Sequence, residues 1–178
     1  DELRDSSQPM VQRLREMEIE PILLSGDEPA AVERVATTLG LNTAQGHLDP
    51  AGKASKLRGF KESGRQTAMV GDGINDAPSL AAADVGIAMG GGTDIALETA
   101  HCALLHDDLS RIPVLIQLAR KTMGTVRRNL WLAFGYNAIA LPMAAGALTS
   151  RFGILVQPHW AAAAMASSSL LVVLSSLS

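Results

Sequence analysis

The chain has 178 residues, enough for one ordinary domain, and its 18 acidic and 15 basic residues leave a net charge of −3, so no nucleic-acid partner is expected. That mild average hides a polarised molecule. All acids fall at or before Asp108, whereas Leu109 onward carries none and six bases, Arg111, Arg120, Lys121, Arg127, Arg128 and Arg151, so −9 stands against +6.

Residues 1–7 are polar and turn-like, and Met10, Val11, Leu14 and Met17 then fall on one side of a helix with Pro9 in its first turn. The apolar stretch 19–24, broken only by Glu20 and Pro21, predicts a buried parallel strand ending at Ser25-Gly26-Asp27. A helix over 29–39 stops at Gly40, and Pro50 opens another that carries Lys53, Leu57 and Phe60 and ends near Gly64. Thr67-Ala68-Met69-Val70 reads as a buried strand that delivers Gly71-Asp72-Gly73-Ile74-Asn75-Asp76, with Ala77-Pro78 behind it. A short helix over 77–82, a strand over 85–89, the run Gly90-Gly91-Gly92, a helix from Thr93 and a strand over 102–105 follow. Strands alternating with helices of this size predict an α/β fold, a parallel sheet with helices on both faces.

Asp107-Asp108 reads as the cap of a long helix from Leu109, a cytosolic linker over 109–129 that runs into the first of two apolar stretches, 130–148 and 160–177. Each is about the 20 residues needed to cross a bilayer. Four bases just before the first stretch, against Arg151 alone between the two, place residues 1–129 in the cytoplasm by the positive-inside rule. Pro142 and Gly146 are expected to bend the first span. The lone Cys102 excludes a disulfide framework. A chain that begins with Asp1 and stops at an apolar run is expected to be a fragment.

Three element ends supply what phosphoryl chemistry needs. Ser25 offers a hydroxyl and Gly26 a free amide; Lys53 offers a compact positive charge; Asp72 and Asp76, four residues apart with Gly71 and Gly73 flanking Asp72, offer paired hard oxygens suited to Mg²⁺. Singly, the first two are weak signals, because Ser-Gly-Asp is a common turn and most lysines are surface residues. His101, Cys102 and His106 resemble a metal cluster but are assigned a structural role, and His47 and His159 have no identifiable partner.

In this order and spacing, Ser25-Gly26-Asp27, Pro50 with Lys53, and Gly71 through Leu80 resemble the phosphorylation domain of P-type ATPases, a branch of the haloacid-dehalogenase-like, Rossmann-type α/β fold. Ala83-Asp84-Val85-Gly86-Ile87-Ala88-Met89 and Gly92-Thr93-Asp94-Ile95-Ala96 are similar to the heavy-metal-transporting subgroup. The resemblance implies a phosphorylation-domain part over 1–108, the linker helix, and the last two membrane helices over 130–178 of an integral, plasma-membrane pump. It implies Asp72 and Asp76 on magnesium, Asn75 ordering the site, Ser25, Gly26 and Asp27 around the phosphoryl group, Lys53 neutralising it, and ATP as phosphoryl donor. Ser25 stands where the family usually has Thr, and the family's nucleophilic Asp-Lys-Thr-Gly-Thr segment is absent from this sequence.

Without a carboxylate after Asp108, a site in these spans favours a soft, low-charge ion. Met165, Ser168 and Ser169 fall on one helical face, and Tyr136-Asn137 lies in the first span. Ordinary packing accounts for such residues as well. The resemblance implies Cu⁺ or Ag⁺ ligands at these five positions, where a zinc-type member would show Lys and Asp. It implies the bilayer, the remaining nucleotide-binding, actuator and transmembrane parts of the pump, and a metal-donating chaperone as partners. A zinc or cadmium pump, and a non-catalytic membrane-anchored remnant that binds magnesium or phosphate, are the alternatives.

Overall fold

The computed structural model describes residues 3–71, 74–90, 94–145 and 173, with the backbone alone at 74, 95–97 and 144. The chain divides into two compact units, Asp1–Val114 and Leu115–Ser178.

The first unit opens with α1 (Ser7–Glu16), which buries Val11 and Leu14. β1 (Ile22–Leu24), α2 (Pro29–Leu39) and β2 (Thr43–Gln45) follow, and the two strands pair in parallel with Ile22 opposite Thr43. β1 is shorter than the predicted strand because Pro21 has no N–H for a ladder and Ile19 is tied back to the Leu14 carbonyl. β2 has no counterpart among the predicted elements. Thr-Ala-Gln is too short and too polar to announce a strand, and only its ladder with β1 makes it one.

α3 (Pro50–Glu62) leads to β3 (Ala68–Gly71), a 3₁₀ turn (Ile74–Asp76), α4 (Ala77–Ala82), β4 (Val85–Ala88), α5 (Asp94–Thr99) and β5 (Cys102–Ala103). These strands form a second parallel sheet in the order β3-β4-β5, with Gly71 opposite Ala88 and Ala88 opposite Ala103. The single sheet expected from the alternation is thus two parallel sheets among the described residues. β1 and β3 are not laddered to one another.

The core is carried by α4, which packs on α3, β3 and β4. Leu80 and Ile87 are at most 2% exposed, and Ala54, Leu57, Ala88 and Met89 are buried with them. Burial of each large side chain contributes roughly 1.5–3 kcal/mol. This places the carboxyl end of β3, and everything that emerges from it, on a rigid base.

α6 (Arg111–Ala144) is one continuous 34-residue helix with Pro142 inside it. Asp108 accepts from the Ser110 backbone N–H at 2.9 Å and from its hydroxyl at 2.8 Å, the cap expected at this junction. Linker and first apolar stretch are therefore parts of one helix, in which Trp131, Phe134, Ile139 and Leu141 are exposed. Among the described residues no helix is long and apolar enough to cross a membrane. Most of the second predicted span and the end of the first lie outside them.

Candidate phosphoryl-transfer site

At the end of β1, the Ser25 N–H donates to the Gln45 carbonyl at 3.0 Å, so the strand pair itself fixes where the turn begins. The Ser25 hydroxyl donates to Asp27 Oδ2 at 2.9 Å and accepts from the Asp27 N–H at 3.2 Å. A serine has one hydroxyl proton, so Ser25 must give up Asp27 before it can donate to a phosphoryl oxygen.

Lys53 stands in the first turn of α3. Asp49 caps that helix, its Oδ1 accepting from the Gly52 N–H at 2.6 Å, and Pro50 supplies a preset φ at the first helical position. Lys53 Nζ reaches Asp76 Oδ1 at 2.9 Å, and the two side chains are only 16% and 14% exposed. At that burial each charge depends on the other, because an ion left alone out of water is costly. Lys53 is thus not the solvated surface lysine its sequence context suggests.

Asp76 ends the 3₁₀ turn and stands at the N-cap of α4. Its side chain rests on Gly71, where an added Cβ would lie 2.7 Å from Asp76 Cβ and 2.9 Å from Oδ2. Gly71 is therefore required for this close approach. Asn75 is exposed, and Asp72 and Gly73 lie outside the described residues.

The structure thus joins Lys53 to Asp76 and keeps Ser25, Gly26 and Asp27 in one turn. Tyr136 and Asn137 are half-buried neighbours on α6, while Met165, Ser168 and Ser169 lie outside the described residues. Among the described residues no three His, Cys, Asp or Glu side chains converge as a metal cage. His101 pins the sheet instead: its Nδ1 accepts from the Gly86 N–H at 2.9 Å and its own N–H donates to the Gly86 carbonyl at 2.9 Å. Burial pushes the Cys102 thiol above its ordinary pKa, which makes it less reactive. What reading the sequence missed is Asp49, although Asp before Pro is a helix-start signal.

A family model of haloacid dehalogenase-like hydrolases matches residues 1–84. The probable copper-transporting ATPase PacS of Synechocystis sp. is 44% identical over 99% of this chain, and the copper-exporting P-type ATPase of Legionella pneumophila 43% over the same share. Over nearly its whole length the chain is therefore similar in sequence to heavy-metal-transporting P-type ATPases. It spans about a quarter of the length of these curated relatives, 24% of each. A solved zinc-transporting PIB-type ATPase in an E2.Pi state superposes with a TM-score of 0.88 at 36% identity, covering 99% of this chain and 28% of that one. The fold is accordingly haloacid-dehalogenase-like α/β with parallel sheets.

Proposed function

We propose that the chain is part of an ATP-driven heavy-metal pump, working on Cu⁺ or Ag⁺, and supplies the half of its phosphorylation site that receives and releases a phosphoryl group. The part-buried Lys53–Asp76 pair at the carboxyl end of β3 carries this reading, because ligands in open α/β sheets sit at strand carboxyl ends. The aspartate that takes the phosphoryl group from ATP belongs to a segment of the pump beyond these 178 residues. Lys53 then neutralises a phosphoryl oxygen, Ser25 and the Gly26 amide donate to the others, and Asn75 orders the turn.

Magnesium fits the hard-oxygen donors here: Asp72 and Asp76 would hold it, and it would offset phosphoryl charge. Asp76 also pairs with Lys53, so one carboxylate would serve both the lysine and the metal. In the membrane part, Tyr136, Asn137, Met165, Ser168 and Ser169 would hold the soft ion, and α6 would connect phosphorylation to the ion path. Similarity to copper pumps supports the ion, and the zinc-transporting neighbour favours zinc as the second reading.

Asp72→Ala in the full-length pump is expected to abolish the metal-dependent phosphoenzyme, and a normal yield would end this reading. Cu⁺ against Zn²⁺ activation of ATP hydrolysis decides the ion: activation by zinc with none by copper would transfer the assignment to zinc.

A further inference from the structure

We infer that residues 46–49 form a strap, with Asp49 as its decisive side chain, that holds the Ser25–Asp27 turn and Lys53 in one frame; the inference rests on the phosphoryl-transfer reading above. The His47 N–H donates to the Asp27 carbonyl at 2.8 Å and the Leu48 N–H to the Ser25 carbonyl at 3.0 Å. The next residue, Asp49, accepts twice from the helix that carries the lysine: Oδ1 from the Gly52 N–H at 2.6 Å, and its carbonyl from the Lys53 N–H at 3.0 Å. Three consecutive residues, His47, Leu48 and Asp49, thus tie both parts of the cradle together.

The strap is held under constraint. His47 has φ 59°, the left-handed region that costs a non-glycine residue energy and persists only where its surroundings enforce it. At Gly46 an added Cβ would lie 2.8 Å from the Asp27 carbonyl oxygen and 3.0 Å from Pro29 Cα, so the strap lies directly on the turn. Its place at the N-cap of α3 gives Asp49 its weight. Lys53 is a cation in the first turn of a helix, where unpaired N–H groups already create positive potential and a cation is disfavoured. The Asp49 side chain satisfies one of those N–H groups, that of Gly52, and Asp76 pairs with the ammonium. Without the cap the first turn frays, and Lys53 Nζ loses its fixed position relative to Asp76 and the Ser25 turn. Asp49 is therefore a positioning residue that acts through Lys53.

The experiment is metal-dependent phosphoenzyme formation from ATP in the full-length pump, with long incubations for slow variants. Asp49→Ala is expected to slow phosphorylation about five-fold, the equivalent of a lost N-cap, while Asp49→Asn, which still caps, stays within about two-fold of wild type. In a Lys53→Met background Asp49→Ala is expected to cost nothing further, since the group it positions is gone. If Asp49→Ala fails to fold, Gly46→Ala takes its place: its Cβ lifts the strap off Asp27, and the resulting loss should likewise vanish in the Lys53→Met background. A wild-type rate for the substituted protein, Asp49→Asn as slow as Asp49→Ala, or losses that multiply in the double variant would each overturn the strap. Full phosphorylation of Lys53→Met would instead remove the phosphoryl-transfer reading itself.

Discussion

α3 makes two Lys–Asp ion pairs of the same length with opposite meanings. Lys53 meets Asp76 at 2.9 Å at the carboxyl end of β3, and two turns later Lys61 meets Asp84 at 2.9 Å near the amino end of β4. The inner pair is 16% and 14% exposed, the outer 56% and 31%. Distance is therefore no guide to role, whereas burial is. The outer pair is screened by water and supported by Thr67, whose N–H donates to Asp84 Oδ2 at 2.9 Å, so it fastens strand starts. The inner pair has given up much of its water, so each of its charges depends on the other.

The largest effect that separates the two pairs is on chemistry. Lys53→Ala is expected to lower phosphoenzyme formation by about a hundred-fold or more, as for loss of one preorganised charge donor, whereas Lys61→Ala stays within about two-fold. Equal losses measured by acid-stable phosphorylation would erase the distinction between the pairs.

Gly71→Ala breaks the inner pair without touching either charge. Its Cβ would sit 2.7 Å from Asp76 Cβ, so Asp76 must move. A destabilisation of about 1–3 kcal/mol in urea unfolding is expected, as for overpacking, together with loss of phosphorylation. An unchanged unfolding midpoint would show that Asp76 relocates freely.

The smallest effect is on pH dependence. Lys61 beside Asp84, with the Thr67 N–H, holds its carboxyl below the ordinary 3.8. A carboxylate with a depressed folded-state pKa contributes stability that is present above the unfolded value and lost as pH falls through the folded one. The stability advantage of wild type over Asp84→Asn should therefore be complete at pH 6 and shrink below about pH 4. A constant difference across that range, measured by denaturant midpoint, would show that Lys61 and Thr67 do not stabilise the charged form.

Much of this segment is legible in the sequence because its signals are local. Pro29 and Pro50 open helices, Gly40 closes one, and the apolar run before Gly71 delivers the aspartate motif to a strand end, all through backbone preferences within a few residues. The family resemblance rests on the same short motifs, and the comparisons agree with it. Asp49 shows the limit of local reading: its cap was in plain view as Asp-Pro, but its worth depends on what lies at the other end of the helix turn.

By itself the amino-acid order determined the alternation of strands and helices, the acidic first part and the basic, apolar second part, and the residue types gathered for phosphoryl chemistry. Tertiary structure alone decided that Thr43–Gln45 is a strand, that Lys53 rather than Lys61 is the enclosed cation, and that residues 46–49 bind the Ser25 turn to the Lys53 helix. The physical reason is common to all three. Strand pairing, burial and cross-loop hydrogen bonds join residues some 20 positions apart, a separation over which no sequence periodicity carries information.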